Sequence, residues 1–197
     1  MPTQPVPIVI FGAGSIVSDA HLPAYEQNNL PVIGLYDLDY EKAKALGQKF
    51  NISVFKDPAE AAAIQNCIFD LAIPPSAHHK VLELIPENSA VILQKPMGSN
   101  LSEASNILTL CRTKSLNACV NFQLRFAPMM IALKDIINKG LIGEIVDIDM
   151  WAALDTPWNL WKFLEDLPRV EILLHSIHYF DAIRFLVGNP HGVHAKT

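Results

Sequence analysis

Short apolar runs alternate with helical stretches along the first part of the chain. Residues 6–11 read as a compact apolar strand that ends at Gly12-Ala13-Gly14. A helix is predicted over 15–27, a second strand over 31–36, and a helix over 38–50, where Leu38, Ala45, Leu46 and Phe50 are apolar. Asp57-Pro58 opens a short alanine helix, with Asp as its cap and Pro in its first turn. Further strands at 69–73, 90–93 and 116–120 alternate with helices at 76–85 and 101–113. Strands this short and this apolar predict a parallel sheet covered on both faces. Right-handed crossovers then make the fold class α/β, a doubly wound Rossmann sheet.

The pattern changes after residue 120, which divides the chain into a domain at 1–120 and a second at 121–197. In the second, a helix is expected over 128–138, closed by Gly140, then a strand through Val146, Ile148 and Met150. A long helix over 170–187 is stopped by Gly188-Asn189-Pro190, and residues 191–197 read as the opening of another strand. This is an incomplete α+β domain with an open sheet.

Composition narrows the function classes. The formal charge is -5, so no basic face offers itself to nucleic acid. Every long apolar stretch is broken before the ~18–20 residues of a membrane span, and no basic segment precedes an apolar one at the start. Cys67, Cys111 and Cys119 lack metal or redox spacing and read as small buried hydrophobes in a cytoplasmic protein.

Gly12-Ala13-Gly14-Ser15-Ile16-Val17 lies between a strand and a helix, where a phosphate loop belongs. The first glycine permits the turn, and the second lets backbone approach a pyrophosphate at the helix N-terminus. Val17 occupies the third glycine position. Asp37 ends the second strand 23 residues after Gly14, where a carboxylate binds ribose hydroxyls. It would repel a 2′-phosphate and no Arg follows nearby, so the expected cofactor is NAD in preference to NADP. The competing reading is a tight turn beside a surface Asp.

Four further segments resemble the Gfo/Idh/MocA family, the relatives of glucose–fructose oxidoreductase and inositol dehydrogenase. They are Asp70 to His78, with Pro74-Pro75; Gln94-Lys95-Pro96, similar to a Glu-Lys-Pro signature; Asn121 to Pro128, with Gly140 to Glu144 behind it; and His175-Ser176-Ile177-His178-Tyr179-Phe180-Asp181. They follow the family order across nearly the whole chain. The resemblance implies hydride exchange between a nicotinamide and a hydroxyl-bearing carbon of a sugar or polyol. It also implies that Pro74, His78 and Lys95 adjoin the cofactor, that Lys95 holds the reacting oxygen, and that His178 is the acid/base. The family continues into more strands than 121–197 provides, so an uncovered sheet inviting homo-oligomer formation is expected.

Two departures from the family pattern matter. Gln94 stands in place of Glu, and Leu174 stands where the family places an Asp one turn before the histidine. On a straight α-helix Glu171, His175 and His178 share a face, and form either a substitute relay or a solvated polar stripe. Zinc ligation by that triplet finds no convincing further ligand, so no metal is expected. Arg125 either anchors substrate or bridges the domains. His21 reads as a packed or capping residue and His79 as exposed. Trp151, Trp158 and Trp161 either wall a sugar pocket or pack in a core or an interface. Two functions therefore stand: an NAD-dependent sugar or polyol dehydrogenase, and a nucleotide-binding pseudoenzyme or sensor without turnover.

Overall fold

The computed structural model describes residues 4–153, 155 and 170–196. The chain divides into two compact units, Met1–Asn121 and Phe122–Thr197.

The first unit is built on five parallel strands: β1 (Ile8–Phe11), β2 (Val32–Tyr36), β3 (Ile68–Leu71), β4 (Ala90–Leu93) and β5 (Asn117–Val120). Their order is β2-β1-β3-β4-β5. Between them run a π-helical turn (Val17–His21) continuing into α1 (Leu22–Gln27), then α2 (Tyr40–Phe50), α3 (Pro58–Ala62), α4 (Pro75–Leu84) and α5 (Leu101–Thr113). Val54 adds a single parallel bridge to Leu35 outside β2, too short to show as an apolar run.

The alternation of side chains along β1 feeds two cores. Val9 and Phe11 pack with Phe69, Leu71, Leu82, Val91 and Ile107 on the α3–α5 face. Ile8 and Ile10 pack with Val17, Leu22, Leu35 and Leu46 on the α1–α2 face. Each fully buried large apolar side chain contributes about 1.5–3 kcal/mol relative to exposure. The helix starts are fixed by side chains: Asp57 accepts from the Ala59 amide at 2.8 Å, and Asn100 from the Glu103 amide at 2.9 Å. Glu103 answers by accepting from the Ser99 amide at 2.8 Å. β5 is the sheet's edge, and Cys119 on it is exposed while Cys67 and Cys111 are buried. The expectation of three buried cysteines is corrected there, because a strand with one neighbour is covered less.

In the second unit a 3₁₀ turn (Gln123–Phe126) leads into α6 (Pro128–Asn138). A π-helical turn (Ile172–Ser176) later continues into α7 (Ile177–Val187). The strand expected through Val146, Ile148 and Met150 does not form. Alternating apolar residues need a ladder partner to become a strand, and among the described residues none pairs with them. Residues 191–196 likewise show no strand.

Candidate functional site

The chain runs from β1 outward to β2 and returns on the other side of β1 to β3, so the carboxyl ends of β1 and β3 flank the switch point of the sheet. Gly12 sits there with φ +110°, and a Cβ on it would lie 2.2 Å from the Ala72 carbonyl oxygen. Only glycine fits that approach. Gly14 has no atom within 4 Å of where its Cβ would be, which leaves open space in front of the helix that follows. Ser15 and Ile16 are exposed at that helix start, and the Val17 amide donates to the Gly14 carbonyl at 3.0 Å. Val17 itself is buried, and the π-helical turn begins at this residue.

Asp37 closes the other side of the loop. One carboxylate oxygen accepts from the Ala13 amide at 2.6 Å and the other from the Asp39 amide at 2.9 Å. The carboxylate is therefore held at the lip of the glycine loop with lone pairs remaining for hydroxyl donors. Open backbone space, a helix start and a carboxylate at the loop fit the pyrophosphate and ribose of a dinucleotide.

Lys95 follows β4 in the same unit. The Gln94 amide donates to the Leu71 carbonyl at 3.2 Å, and the bond from Lys95 to Pro96 is cis. Lys95 is half-buried, and burial lowers the pKa of its ammonium from the ordinary lysine value. Pro74 caps α4 from an exposed position. His78 has a different place from the one expected of a cofactor contact. Its side chain has 0 % exposure, and Nδ1 lies 3.0 Å from the Met97 carbonyl oxygen. A ring without surface serves packing between α4 and the segment after Lys95. Burial lowers its pKa, partly opposed by the bonds to the Met97 and Leu71 backbone. His79, only partly exposed, lies 3.6 Å from Glu83.

His21 is more than a packing residue. Its Nδ1 is 2.6 Å from Asp70 and its Nε2 is 3.0 Å from the Gln94 side-chain nitrogen. Tyr25 donates to the same Asp70 oxygen at 2.9 Å. Sequence reading missed this cluster, whose members lie up to 73 positions apart.

In the second unit His178 is buried on α7, with the Phe122 ring edge-on at 6.2 Å between centroids. Arg125 makes a bidentate pair with buried Asp181, both bonds 2.6 Å, and lies over the Phe185 ring. That pair lies wholly within the second unit and raises the pKa of the guanidinium further. The shared face expected for Glu171, His175 and His178 rested on a straight α-helix. The π-helical turn over Ile172–Ser176 changes that spacing, and exposed Glu171 accepts from the Ser176 hydroxyl at 2.6 Å. Leu174 is buried. Trp151 is 95 % exposed, so it packs in no core. Trp158 and Trp161 lie outside the described residues. Among the described residues no group of three or more His, Cys, Asp or Glu is placed to hold a metal. Among them, too, no helix is long and apolar enough to cross a membrane.

Comparisons with known proteins converge on the same fold. A family model described as an oxidoreductase family with an NAD-binding Rossmann fold, GFO_IDH_MocA, matches residues 6–122. D-glucoside 3-dehydrogenase of Escherichia coli K12 is 25 % identical over 197 residues, covering 96 % of this chain and 56 % of that relative. An oxidoreductase from Agrobacterium radiobacter, solved in complex with NAD+, L-tartaric acid and magnesium, superposes with a TM-score of 0.77 at 22 % identity, over 94 % of this chain and 55 % of its own. A super-repressor mutant of Gal80p from Saccharomyces cerevisiae also gives 0.77, at 18 % identity over 93 % and 53 %. At such identities the two structures speak for the fold alone. The chain spans about half the length of the curated relatives it matches.

Proposed function

The chain belongs to the Gfo/Idh/MocA oxidoreductase family, and we propose that it works there as an NAD-dependent dehydrogenase of a sugar or polyol. The observation that carries this reading is the glycine loop at the switch point, open at Gly14 and bordered by the Asp37 carboxylate. In this reading Gly12, Gly14, Ser15 and Ile16 receive the pyrophosphate, Pro74 borders the cofactor, and Asp37 takes the ribose hydroxyls. A 2′-phosphate would meet the Asp37 charge, which favours NAD over NADP.

When bound, the nicotinamide supplies the acceptor for a hydride, the C–H electron pair of the carbinol carbon. Lys95 holds the reacting oxygen with its ammonium. His178 takes the hydroxyl proton as the carbonyl forms, while the electron pair goes with the hydride. Burial lowers the pKa of Lys95, so this role belongs to the pH range below its titration. Arg125 acts through Asp181, which it holds on the helix of His178, while Glu171 and His175 belong to the helix turn that leads into it.

A second reading keeps the nucleotide and drops the turnover. Leu174, buried where the family has an acid, favours it, and the Gal80p likeness illustrates how little the fold alone decides. The test is NAD+ reduction, followed by NADH absorbance, with D-glucosides, free aldoses and polyols. Turnover with any of them is the expected result. Tight NAD+ binding without turnover across the panel would establish the second reading in its place.

A further inference from the structure

Asp70 occupies the third position of β3, between Phe69 and Leu71, and so points to the α1–α2 face while its neighbours enter the other core. It is a fully buried carboxylate where an apolar side chain would pack. Burying a carboxylate is costly unless it is hydrogen-bonded, so a purpose for it is expected. One oxygen receives both His21 and Tyr25, at 2.6 and 2.9 Å, while the other has no hydrogen-bond partner. The Tyr25 ring also stands edge-on to His21 at 6.0 Å. Burial and the Asp70 charge push the Tyr25 hydroxyl far above its ordinary pKa, so it remains a donor.

These contacts fit one tautomer of His21. A carboxylate can only accept, so Nδ1 carries the proton. The Gln94 amide nitrogen can only donate, so Nε2 at 3.0 Å presents its lone pair. Here the departure from the family signature has a use. A glutamate carboxylate at position 94 would set an acceptor against that lone pair, whereas the Gln94 amide donates to it.

The two ends of the chain of bonds are informative. His21 closes the π-helical turn that begins three residues after Gly14, on the helix rising from the glycine loop. Gln94 precedes Lys95. We infer that His21 is a positioning residue: held by Asp70 and Tyr25, it fastens Gln94 and transmits nucleotide occupancy of the glycine loop to the segment carrying Lys95. This rests on the cofactor reading of the loop and on the role given to Lys95.

The probe is ADP, which fills the pyrophosphate and adenosine positions and carries neither the nicotinamide nor its ribose to touch Lys95 directly. Backbone amide spectra of the whole chain are recorded during its titration into the wild type, Gln94→Leu and His21→Phe. Gln94→Leu leaves the buried His21–Asp70–Tyr25 group intact and so guards against a folding failure in His21→Phe. In the wild type the Lys95 and Met97 amides shift along with Gly12 and Gly14. In both variants the loop shifts persist and those of Lys95 and Met97 are lost. Equal Lys95 shifts in wild type and in a folded Gln94→Leu would overturn the inference. So would a ring nitrogen spectrum of His21 that places its proton on Nε2. Absence of ADP binding to the wild type would contradict the cofactor reading and, with it, the transmission; the ring spectrum would still report on the His21 bonding separately.

Discussion

Two helices of similar length show how differently the two units are held. α5 in the first unit buries Ile107 and Cys111 against the sheet. α6 in the second buries none of its residues, and Met129 and Ile131 on it are exposed. Apolar periodicity alone makes both helical, but only a sheet with two faces gives such a helix somewhere to bury its stripe. The first unit is held by apolar packing on both faces of its sheet. In the second, Arg125 pairs with Asp181 on the helix that carries His178, where Leu174, Ala182 and Leu186 are also buried among the described residues. The glycine loop and Lys95 are therefore assigned to one unit and His178 to the other, and perturbations should separate them.

The largest effect is expected at Lys95. Lys95→Ala should lower kcat/KM by roughly 10²–10⁴-fold, the range for losing a positioned acid/base or polarising group, with NAD+ affinity far less affected. Because the ammonium is the working form and burial lowers its pKa, wild-type activity should fall as pH rises, at a midpoint below the ordinary 10.5. Unchanged turnover in Lys95→Ala would make it a surface lysine.

Next is the ion pair. Arg125→Ala leaves Asp181, 4 % exposed, as a buried carboxylate without its partner. The guanidinium is itself 37 % exposed, so the loss should be about 2 kcal/mol, below the ~3–5 kcal/mol of a fully buried pair. Hydrogen exchange should quicken in α7 and stay unchanged in β1 to β4. Uniform quickening across both units would break the contrast drawn between them.

A smaller effect is expected within the first unit, at His78. Its pKa is lowered in the folded protein, so above the ordinary value of 6.5 both folded and unfolded rings are neutral and its contribution is fully present. As pH falls through 6.5 the unfolded chain takes up a proton that the buried ring resists, and stability declines by at most about 1.4 kcal/mol per pH unit. His78→Asn keeps a donor for the Met97 carbonyl without that titration. Its stability between about pH 7 and pH 5 should be flatter than the wild type's, as read by denaturant melts. A wild-type slope retained in His78→Asn would assign the acid sensitivity elsewhere.

What the sequence disclosed follows the same division. The apolar runs around Ile8, Phe69 and Val91 announced the sheet because packing against both faces demands them. The helices Leu101–Thr113 and Pro128–Asn138 agree with their predicted spans to the residue. Gly12 and Asp37 were legible as a loop and its carboxylate because their roles are local to strand ends. The π-helical turns at Val17–His21 and Ile172–Ser176 were not, since a 3.6-residue period is assumed in reading any helix. That assumption is why Glu171 was set beside His175 and His178. The partners of His21 and His78 were hidden for another reason: Asp70, Gln94 and Met97 are distant in the sequence. A buried acid inside an apolar strand, Asp70, was the one available signal.

The central claim is that the glycine loop and Asp37 form an NAD site, and calorimetric titration of the whole chain with NAD+ and with NADP+ tests it most directly. The account predicts binding of both, with NAD+ the tighter. Asp37→Ala should narrow the difference by about tenfold, since hydrogen bonds to a charged acceptor contribute ~1.5–3 kcal/mol. Tighter binding of NADP+ by the wild-type chain, or no binding of either, would contradict it.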